Sequence, residues 1–336
     1  MRTKTIGAIA GGWAAFLGAI PAMAEGDPAL SERHVAAAQA AAGEDLSHVL
    51  GHCENIGKSF TISHERGEEL LERAIGMGEP RPKAVFDNLY FLGTGWVTAW
   101  AVTTSDGIIL IDALNNEEEA GRFIEGGMET VGLDPADIRK IVVLHAHGDH
   151  YGGATYLKEK YGAEIVMSET DWQELEKPAL QFDSEHWGRP PERDVSIADG
   201  GVVTLGDTSI TLLETPGHTP GTISAILPVT SGGEAHKAVI WGGNGLNFGA
   251  DAPRFVQMIE SQRRLAALAG TEGIDVFLSN HQRLDGTLAK IDAMEAGAEG
   301  NPFVIGTDGV ERAMTALSHC VAAQLASFAP ASVPAD

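Results

Sequence analysis

The chain has 336 residues, of which 43% are hydrophobic and 21% are charged, and this composition is typical of a globular protein with a sizeable core. Its length accommodates one large α/β domain or two small ones. The formal net charge at pH 7 is -24. Because so acidic a surface repels phosphates, the composition argues against a nucleic-acid partner and leaves a small-molecule substrate open.

The N-terminal residues 1–24 differ from the rest of the chain. Arg2 and Lys4 precede an apolar, uncharged run, and Ala22 and Ala24 fit a small-x-small cleavage site. This pattern predicts a secretory signal peptide cleaved after Ala24, and therefore a periplasmic or secreted protein. An uncleaved N-terminal anchor is the alternative. No later segment reaches the roughly 18 apolar residues of a membrane helix, so we expect no membrane insertion after cleavage.

The two cysteines, Cys53 and Cys320, lie far apart in the sequence. An exported protein can pair them, and a bridge closing so long a loop would stabilise the fold by several kcal/mol in the chain-entropy model. Two buried thiols are the alternative, and the sequence leaves both open.

Residues 25–83 form a predicted N-terminal helical extension. Its helical stretches are ALSERHVAAAQAAAG and SHERGEELLERAIGMG. The Pro-containing stretch EPRPKAV then marks the start of the main domain, residues 84–336.

Strand-forming and helix-forming stretches follow one another along the main domain. The predicted strands are VFDNLYFLG, WVTAWAVTT, GIILIDA, IRKIVVLHAH, AEIVMS, GVVTLGDTSITLLE, TISAILPVT, KAVIWGG and IDVFLSN. The predicted helices are EEEAGRFIEGGMETVG, GGATYLKEKYG, ETDWQELEK, RFVQMIESQRRLAALAG and a last one near 308–327. Two sheets sandwiched between helices, in the α/β (α+β) class, accommodate this order.

The most informative stretch is HAHGDH, which follows a buried strand and carries His145, His147, Asp149 and His150. Ligand pockets of α/β proteins tend to lie at such strand ends. Histidines at i and i+2 point the same way on an extended backbone. A turn at Gly148 would then direct Asp149 and His150 to a neighbouring point. The spacing therefore predicts two adjacent metal half-sites.

Two further histidines occupy similar positions at strand exits. His218 lies in LETPGHTPG and His281 in VFLSNH. A lone loop histidine is rarely a ligand, but a chain that already carries HAHGDH makes both strong candidates. Six other histidines lie in helical or polar segments, and the sequence assigns them no role: His34, His48, His52, His64, His236 and His319.

HAHGDH, GHTPG and the later His281 together resemble the ligand motifs of the metallo-β-lactamase fold over roughly residues 84–300. The resemblance implies an αββα four-layer sandwich that holds two Zn²⁺ ions. It implies a first set of zinc ligands, His145, His147 and His218. It implies a second set, Asp149, His150 and His281. Asp112, which ends GIILIDA, matches the aspartate that supports a ligand histidine in this fold, although a turn or N-cap role is the alternative.

Asn244 distinguishes this chain from much of the family. Lactonases, thioesterases and nucleases of the fold usually carry an aspartate that bridges both metals, and aligning the glycines places Asn244 there. A site with six ligands and no such anion resembles the third subclass of class B β-lactamases. The first two subclasses use a cysteine ligand, and Cys53 and Cys320 lie far from the motifs.

The resemblance implies an exported zinc-dependent hydrolase that opens a cyclic amide with a hydroxide shared by the two metals. Asp149 would also be catalytic, accepting a hydrogen bond from the nucleophile and passing a proton to the leaving group. A lactone, ester or other amide hydrolase is the alternative within enzymes, and a periplasmic zinc-binding protein is the alternative outside them. The oligomeric state stays open.

Several side chains of the main domain are candidates for contacting the substrate. Trp96, Trp187 and His186 could form walls of the pocket, although ordinary packing explains them as well. Arg189 or Arg193 could meet a substrate carboxylate, and solvated loop charges are the alternative.

Overall fold

The computed structural model describes residues 26–54, 56–57, 64–180 and 183–335. The predicted signal peptide lies outside the described residues. The strands of the described part are β1 Lys83–Phe86, β2 Leu89–Gly93, β3 Thr98–Thr104, β4 Gly107–Ile111, β5 Ile138–Val142, β6 Glu164–Ser168, β7 Val195–Ile197, β8 Gly201–Leu205, β9 Thr208–Glu214, β10 Ile223–Ser231, β11 Glu234–Trp241 and β12 Val276–Ser279.

The helices surround these strands. They are α1 Pro28–Ala42, α2 His64–Ile75, α3 Glu117–Glu119, α4 Gly126–Thr130, α5 Gly148–Tyr151, α6 Ala154–Tyr161, α7 Glu169–Leu175, α8 Ala252–Glu272, α9 Gln282–Asp285, α10 Thr287–Glu295 and α11 Gly306–Ala326. A π-helical segment, Ala120–Glu125, joins α3 to α4, and 3₁₀ turns lie at Ser47–Cys53, Pro135–Asp137 and Pro330–Ser332. None of the helices within the described ranges is long and apolar enough to cross a membrane.

The strands form two sheets, in the orders β1-β2-β3-β4-β5-β6-β7 and β12-β11-β10-β9-β8. The first sheet is antiparallel from β1 to β4 and parallel from β4 to β7. The second is antiparallel except that β12 runs parallel to β11. The C-terminal ends of β5 and β12 lead into HAHGDH and His281, so the topology brings the ligand motifs together.

Successive side chains of the strands face opposite layers of the core. In β3, Trp100 and Val102 pack between the two sheets, whereas Ala99 and Ala101 pack under the helices that follow β4 and β5. This alternation explains why the strand reads as a nearly continuous apolar run. A separate core joins the outer face of the second sheet to α8 and α11. The predicted αββα four-layer sandwich is therefore confirmed.

Several elements differ from the sequence expectation. GVVTLGDTSITLLE forms two paired strands, β8 and β9, EEEAGRFIEGGMETVG is divided by the π-helical segment, and β7 was not expected. The stretch VFDNLYFLG, which we expected to be one strand, is a hairpin in which Asp87 and Asn88 turn the chain between β1 and β2. The Asp-Asn pair accounts for the turn, because both residues favour turn conformations. Helix α10 was not expected from the sequence.

The segment that precedes the main domain is fixed to the C-terminal helix. α1 packs along α11, and Asp27 N donates to Ala326 O at 2.9 Å. Cys53 and Cys320 form a disulfide across a sequence separation of 267 residues, which resolves the alternative that the sequence left open. The expected boundary between residues 83 and 84 stays a prediction, although Lys83 already belongs to β1.

Candidate metal centre

HAHGDH leaves β5 at the edge of the first sheet and enters the short helix α5 at Gly148. The expectation of a turn at Gly148 is corrected here, because this residue begins a helical turn. Its lack of a side chain matters for packing instead: a Cβ at Gly148 would lie 2.2 Å from Cγ of Trp187. Trp187 is held over this position by a hydrogen bond from its Nε1 to Asn115 Oδ1 at 3.1 Å.

The three histidines of the first set come together, as the sequence predicted. Their potential ligand atoms lie within 4.8 Å of one another. His218 Nε2 lies 3.0 Å from His147 Nδ1. His145 Nε2 is buried and has no hydrogen-bond partner among the described residues. The nitrogen atoms of all three rings therefore converge on one point.

The second set converges beside the first. His150 Nε2 lies 3.2 Å from His281 Nε2 and 3.2 Å from Asp149 Oδ2. Asp149 Oδ2 lies 3.6 Å from His281 Nε2. The ring centroids of His145 and His150 are 4.1 Å apart, so the two sets adjoin. All six predicted ligand residues are thus neighbours.

Asp112 supports the second set in the way the resemblance implied. Its Oδ2 accepts from His150 Nδ1 at 2.7 Å, and its Oδ1 accepts from Leu144 N at 2.8 Å. A proton on Nδ1 leaves the lone pair of His150 Nε2 directed at the centre. Asp112 is fully buried and has a φ of 61°, a conformation that Asp and Asn adopt more readily than most residues.

Asp171 was missed by sequence reasoning, although it ties together the loops of the first set. Its Oδ2 accepts from Ala146 N and from Thr219 Oγ1, both at 2.8 Å, and its Oδ1 accepts from Gly221 N at 2.9 Å. Ala146 lies between two ligand histidines and Thr219 follows the third. Burial raises the pKa of Asp171 to about 6. Its position in the predicted helix ETDWQELEK gave no signal of these contacts.

In the metal-free site burial favours the neutral form of the ligand histidines except His150, whose extra proton would leave on metal binding. Burial, reinforced by neighbouring histidines, lowers the pKa of His145 well below its usual value, and burial lowers the pKa of His147 to about 4 and of His281 to about 3. Burial alone would lower the pKa of His150, but Asp149 and Asp112 raise it to about 10. Burial opposes the ionisation of Asp149, but His150 and His281 hold its pKa well below the usual range.

These residues fit a divalent metal ion. Neutral imidazoles and a carboxylate are zinc ligands. The close approach of ring nitrogens, 3.0 Å within the first set and 3.2 Å within the second, places lone pairs against one another unless a proton or a cation lies between them. The unpartnered Nε2 of His145 points to the same conclusion.

A pocket of about 520 Å³ opens onto both sets. It is lined by His147, Asp149, His218 and His281, by Trp96 and Trp187, by Asn244, Gly245 and Asn247, by Asp183 and Ser184, and by Gly67, Glu68, Leu70, Leu71 and Ala74 of α2. Helix α2 belongs to the predicted N-terminal extension, to which the sequence gave no role in the site, and it forms one wall of this pocket. Glu68 Oε2 accepts from Ser184 Oγ at 2.9 Å and so joins α2 to the facing loop.

The remaining side chains that the sequence suggested for substrate contact do not line this pocket. His186 does not line this pocket, and its Nε2 lies 3.9 Å from Glu68. Arg189 pairs with Glu159, and Arg193 pairs with Glu169 and Glu176 at 2.5 and 2.6 Å. The expectation that either arginine meets a substrate carboxylate is therefore not supported, because the loop folds both onto surface carboxylates.

Asn244, placed by alignment at the bridging position, directs its oxygen elsewhere. Asn244 Oδ1 lies 3.0 Å from His52 Nε2. His52 belongs to the 3₁₀ turn before the disulfide, and the sequence gave it no role. The amide oxygen is therefore occupied by a hydrogen bond from the N-terminal segment.

A sequence profile of the family described as "Metallo-beta-lactamase superfamily" matches residues 92–231. The crystal structure of BJP-1, a subclass B3 metallo-beta-lactamase of Bradyrhizobium japonicum, is 31% identical, with a TM-score of 0.62 over 76% of this chain and 97% of that one. This chain belongs to the metallo-beta-lactamase superfamily. A mutant of the FEZ-1 metallo-beta-lactamase from Legionella gormanii is 25% identical, with a TM-score of 0.64 over 71% of this chain and 93% of that one. The protein thus has the metallo-beta-lactamase fold, with His and Asp residues grouped as they would be for metal binding.

Curated relatives of this superfamily member include hydroxyacylglutathione hydrolases. That of Rhodopseudomonas palustris (strain BisA53) is 39% identical over 79 residues, and that of Cereibacter sphaeroides is 28% identical over 130 residues. These matches cover 24% and 38% of this chain, and 25% and 45% of those proteins. The chain therefore spans a quarter to less than half of the length of these relatives.

Proposed function

We propose that this protein is an exported dizinc hydrolase that opens a cyclic amide, as a β-lactamase does. The observation that carries the proposal is the pair of adjoining three-residue ligand sets with an asparagine at position 244. The match to BJP-1, over 97% of that chain and 76% of this one, supports it.

In this proposal, each set holds one zinc ion. His145, His147 and His218 would hold the first, and Asp149, His150 and His281 would hold the second. When bound, such ions lower the pKa of water to about 7 and polarise a carbonyl oxygen.

The protein's own residues perform the remaining steps. Asp149 Oδ2 lies within the second set and on the pocket wall, so it can accept a hydrogen bond from the attacking water. The same carboxylate can then carry the proton to the leaving nitrogen. His150 is oriented by Asp112, and Trp96 lies 5.4 Å from the ring of His281, centroid to centroid.

The apolar part of the pocket would bind the substituents of the substrate. Leu70 and Ala74 of α2 line the pocket together with Trp96 and Trp187. Leu70 is 40% exposed, so its side chain is accessible to a bound substrate.

Export is part of the proposal. The N-terminal pattern is that of a signal peptide, and the Cys53–Cys320 disulfide is of a kind that persists in oxidising compartments such as the periplasm. A small-molecule substrate is proposed as the partner, and nucleic acid is not.

The second candidate is a thioester hydrolase, favoured by the names of the curated relatives. One experiment separates the two. The purified, zinc-loaded protein is given a chromogenic cephalosporin and, separately, a hydroxyacylglutathione thioester, each with and without a chelator. Chelator-sensitive opening of the cephalosporin supports the lactamase proposal. Thioester cleavage alone would replace it with the second candidate.

The Asp149→Asn variant tests the proton-transfer role. We expect turnover to fall far more than first-set zinc binding, because the first set does not include this residue. The matched control is Asp308→Asn, a carboxylate that is 86% exposed and pairs only with Arg312 among the described residues. Equal turnover of Asp149→Asn and wild type would remove the proposed role.

A further inference from the structure

The loop at 244–245 is held by a donor from the N-terminal segment. Asn244 Oδ1 accepts a hydrogen bond from His52 Nε2 at 3.0 Å and one from Gly245 N, also at 3.0 Å. Burial lowers the pKa of His52, so its ring is neutral and carries a single proton. That proton lies on Nε2, because the amide oxygen can only accept.

The same loop contacts a ligand histidine. Gly245 O accepts from His218 Nδ1 at 3.0 Å. Gly245 has a φ of 91°, and a Cβ at this position would lie 3.3 Å from Cε1 of His218. The backbone therefore approaches the imidazole closely, in a conformation that suits glycine. Asn244 Oδ1 thus anchors the N–H of Gly245, and the carbonyl of the same residue is directed at His218.

His52 is itself held firmly from the other side. The adjacent Cys53 is bonded to Cys320 of α11. Gln324, one turn further along α11, donates from Nε2 to the carbonyls of His52 and Glu54, each at 3.2 Å. α11 thus determines where His52 lies, although neither belongs to the segment that the family profile matches.

We propose that His52 is a positioning residue for the metal centre, acting through Asn244 and Gly245 on the orientation and tautomer of His218. A proton on His218 Nδ1 leaves the lone pair of Nε2 facing His147 Nδ1 and the centre. Groups that fix the second nitrogen of a ligand histidine strengthen metal binding. The proposal rests on the metal-binding part of the proposed function and is independent of the substrate.

The test uses three single variants of the full-length protein and cobalt(II) as the probe. His52→Leu removes the donor, and His52→Gln retains an N–H at a similar position. His48→Leu makes the same change in the same 3₁₀ turn, away from Asn244. We expect His52→Leu to weaken binding of one cobalt ion about tenfold in chelator competition, and to shift its visible absorption. We expect His52→Gln to remain close to wild type, and His48→Leu to be unchanged.

A second measurement uses the metal-free protein. The ¹⁵N signals of the His218 ring report its tautomer, which a merely structural role of His52 would not alter. We expect the Nδ1–H form in wild type and a mixture in His52→Leu. If wild type binds cobalt but opens no cephalosporin, and His52→Leu still changes the cobalt affinity and the tautomer, the proposed function fails and this inference stands.

A fourth single variant keeps the test decisive if His52→Leu folds poorly. Asn244→Ala removes the acceptor and leaves the N-terminal segment intact, so it should reproduce the cobalt and tautomer changes. Combined with His52→Leu it should add little, because the two residues act through one path. Native cobalt affinity and a native His218 tautomer in both single variants, or fully additive effects, would overturn the proposal.

Discussion

Replacing Asp112 by Asn separates the hydrogen bonding of this side chain from its shape. The φ of 61° suits Asn as well as Asp, so the substitution adds no backbone strain. One carboxylate oxygen accepts from Leu144 N at 2.8 Å and the other from His150 Nδ1 at 2.7 Å. An amide supplies one acceptor and one donor in these two places. The NH₂ group of the amide therefore faces either Leu144 N–H or His150 Nδ1–H, and no hydrogen bond can form between two donors.

The expected magnitude follows from the two orientations of the amide. If its nitrogen faces Leu144, a buried backbone N–H loses its acceptor, which costs about 1–3 kcal/mol. If its nitrogen faces His150, the ring proton moves to Nε2, where the second set needs a lone pair. To bind a metal ion, His150 must then adopt its less stable tautomer, or the amide at position 112 must adopt its less stable orientation. Since about 1.4 kcal/mol is a factor of ten, we expect second-set affinity to fall about 10- to 100-fold.

The assay is a chelator competition with zinc(II) on metal-free protein, in which the two binding steps are fitted separately. The first set should keep its affinity, because Asp112 contacts none of its histidines in the described structure. Asp308→Asn is the matched control and should bind both ions as wild type does. A second-set affinity within threefold of wild type in Asp112→Asn would refute the tautomer argument.

Three further outcomes are expected from the geometry of the site and its surroundings. Gly148→Ala should lower the free energy of unfolding by about 1–3 kcal/mol in urea titration, because its Cβ would overlap Trp187; an unchanged midpoint would contradict the packing described here. Leu70→Ser should raise KM for a cephalosporin with an aromatic substituent about three- to tenfold, as partial burial of one leucine is worth about 1 kcal/mol, whereas the control Val202→Ser, at an exposed apolar residue that does not line the pocket, should not. Burial raises the pKa of Asp285 from 3.8 to about 6, so its contribution to stability is complete below pH 3.8 and is lost as the pH rises through 6. Asp285→Asn should therefore remove about 3 kcal/mol of the fall in unfolding free energy between pH 4 and 7, and an identical pH profile in the variant would show that burial does not raise this pKa.

The ligand motifs could be predicted from the sequence because each motif lies within a short stretch of the chain. HAHGDH contains four potential ligands within six residues, and His218 and His281 each follow a strand that is itself visible as an apolar run. Parallel pairing of β11 with β12 and of β4 with β5 then brings these strand ends to one edge. The family resemblance supplied the grouping into two sets, which spacing alone could not.

The residues that hold the ligand loops in place could not be predicted, because their hydrogen-bond partners are distant in the sequence. Asp171 reaches Thr219 and Gly221 across about fifty positions, and nothing in the sequence of its helix indicates a buried carboxylate. His52 reaches Asn244 across 192 positions. The pairing of Cys53 with Cys320 was undecided for the same reason, since two cysteines allow either outcome until the fold brings them together.

The placement of Trp96 and Trp187 has an optical consequence. Trp96 lies beside His281, and Trp187 lies over the glycine between His147 and Asp149, whereas Trp100, Trp172 and Trp241 are fully buried in the cores. A cation that enters near an indole interacts with its π-system. The fluorescence of these two side chains should therefore respond when metal ions bind, without any added label. Replacing either tryptophan by phenylalanine would assign each part of the signal to its own side of the centre.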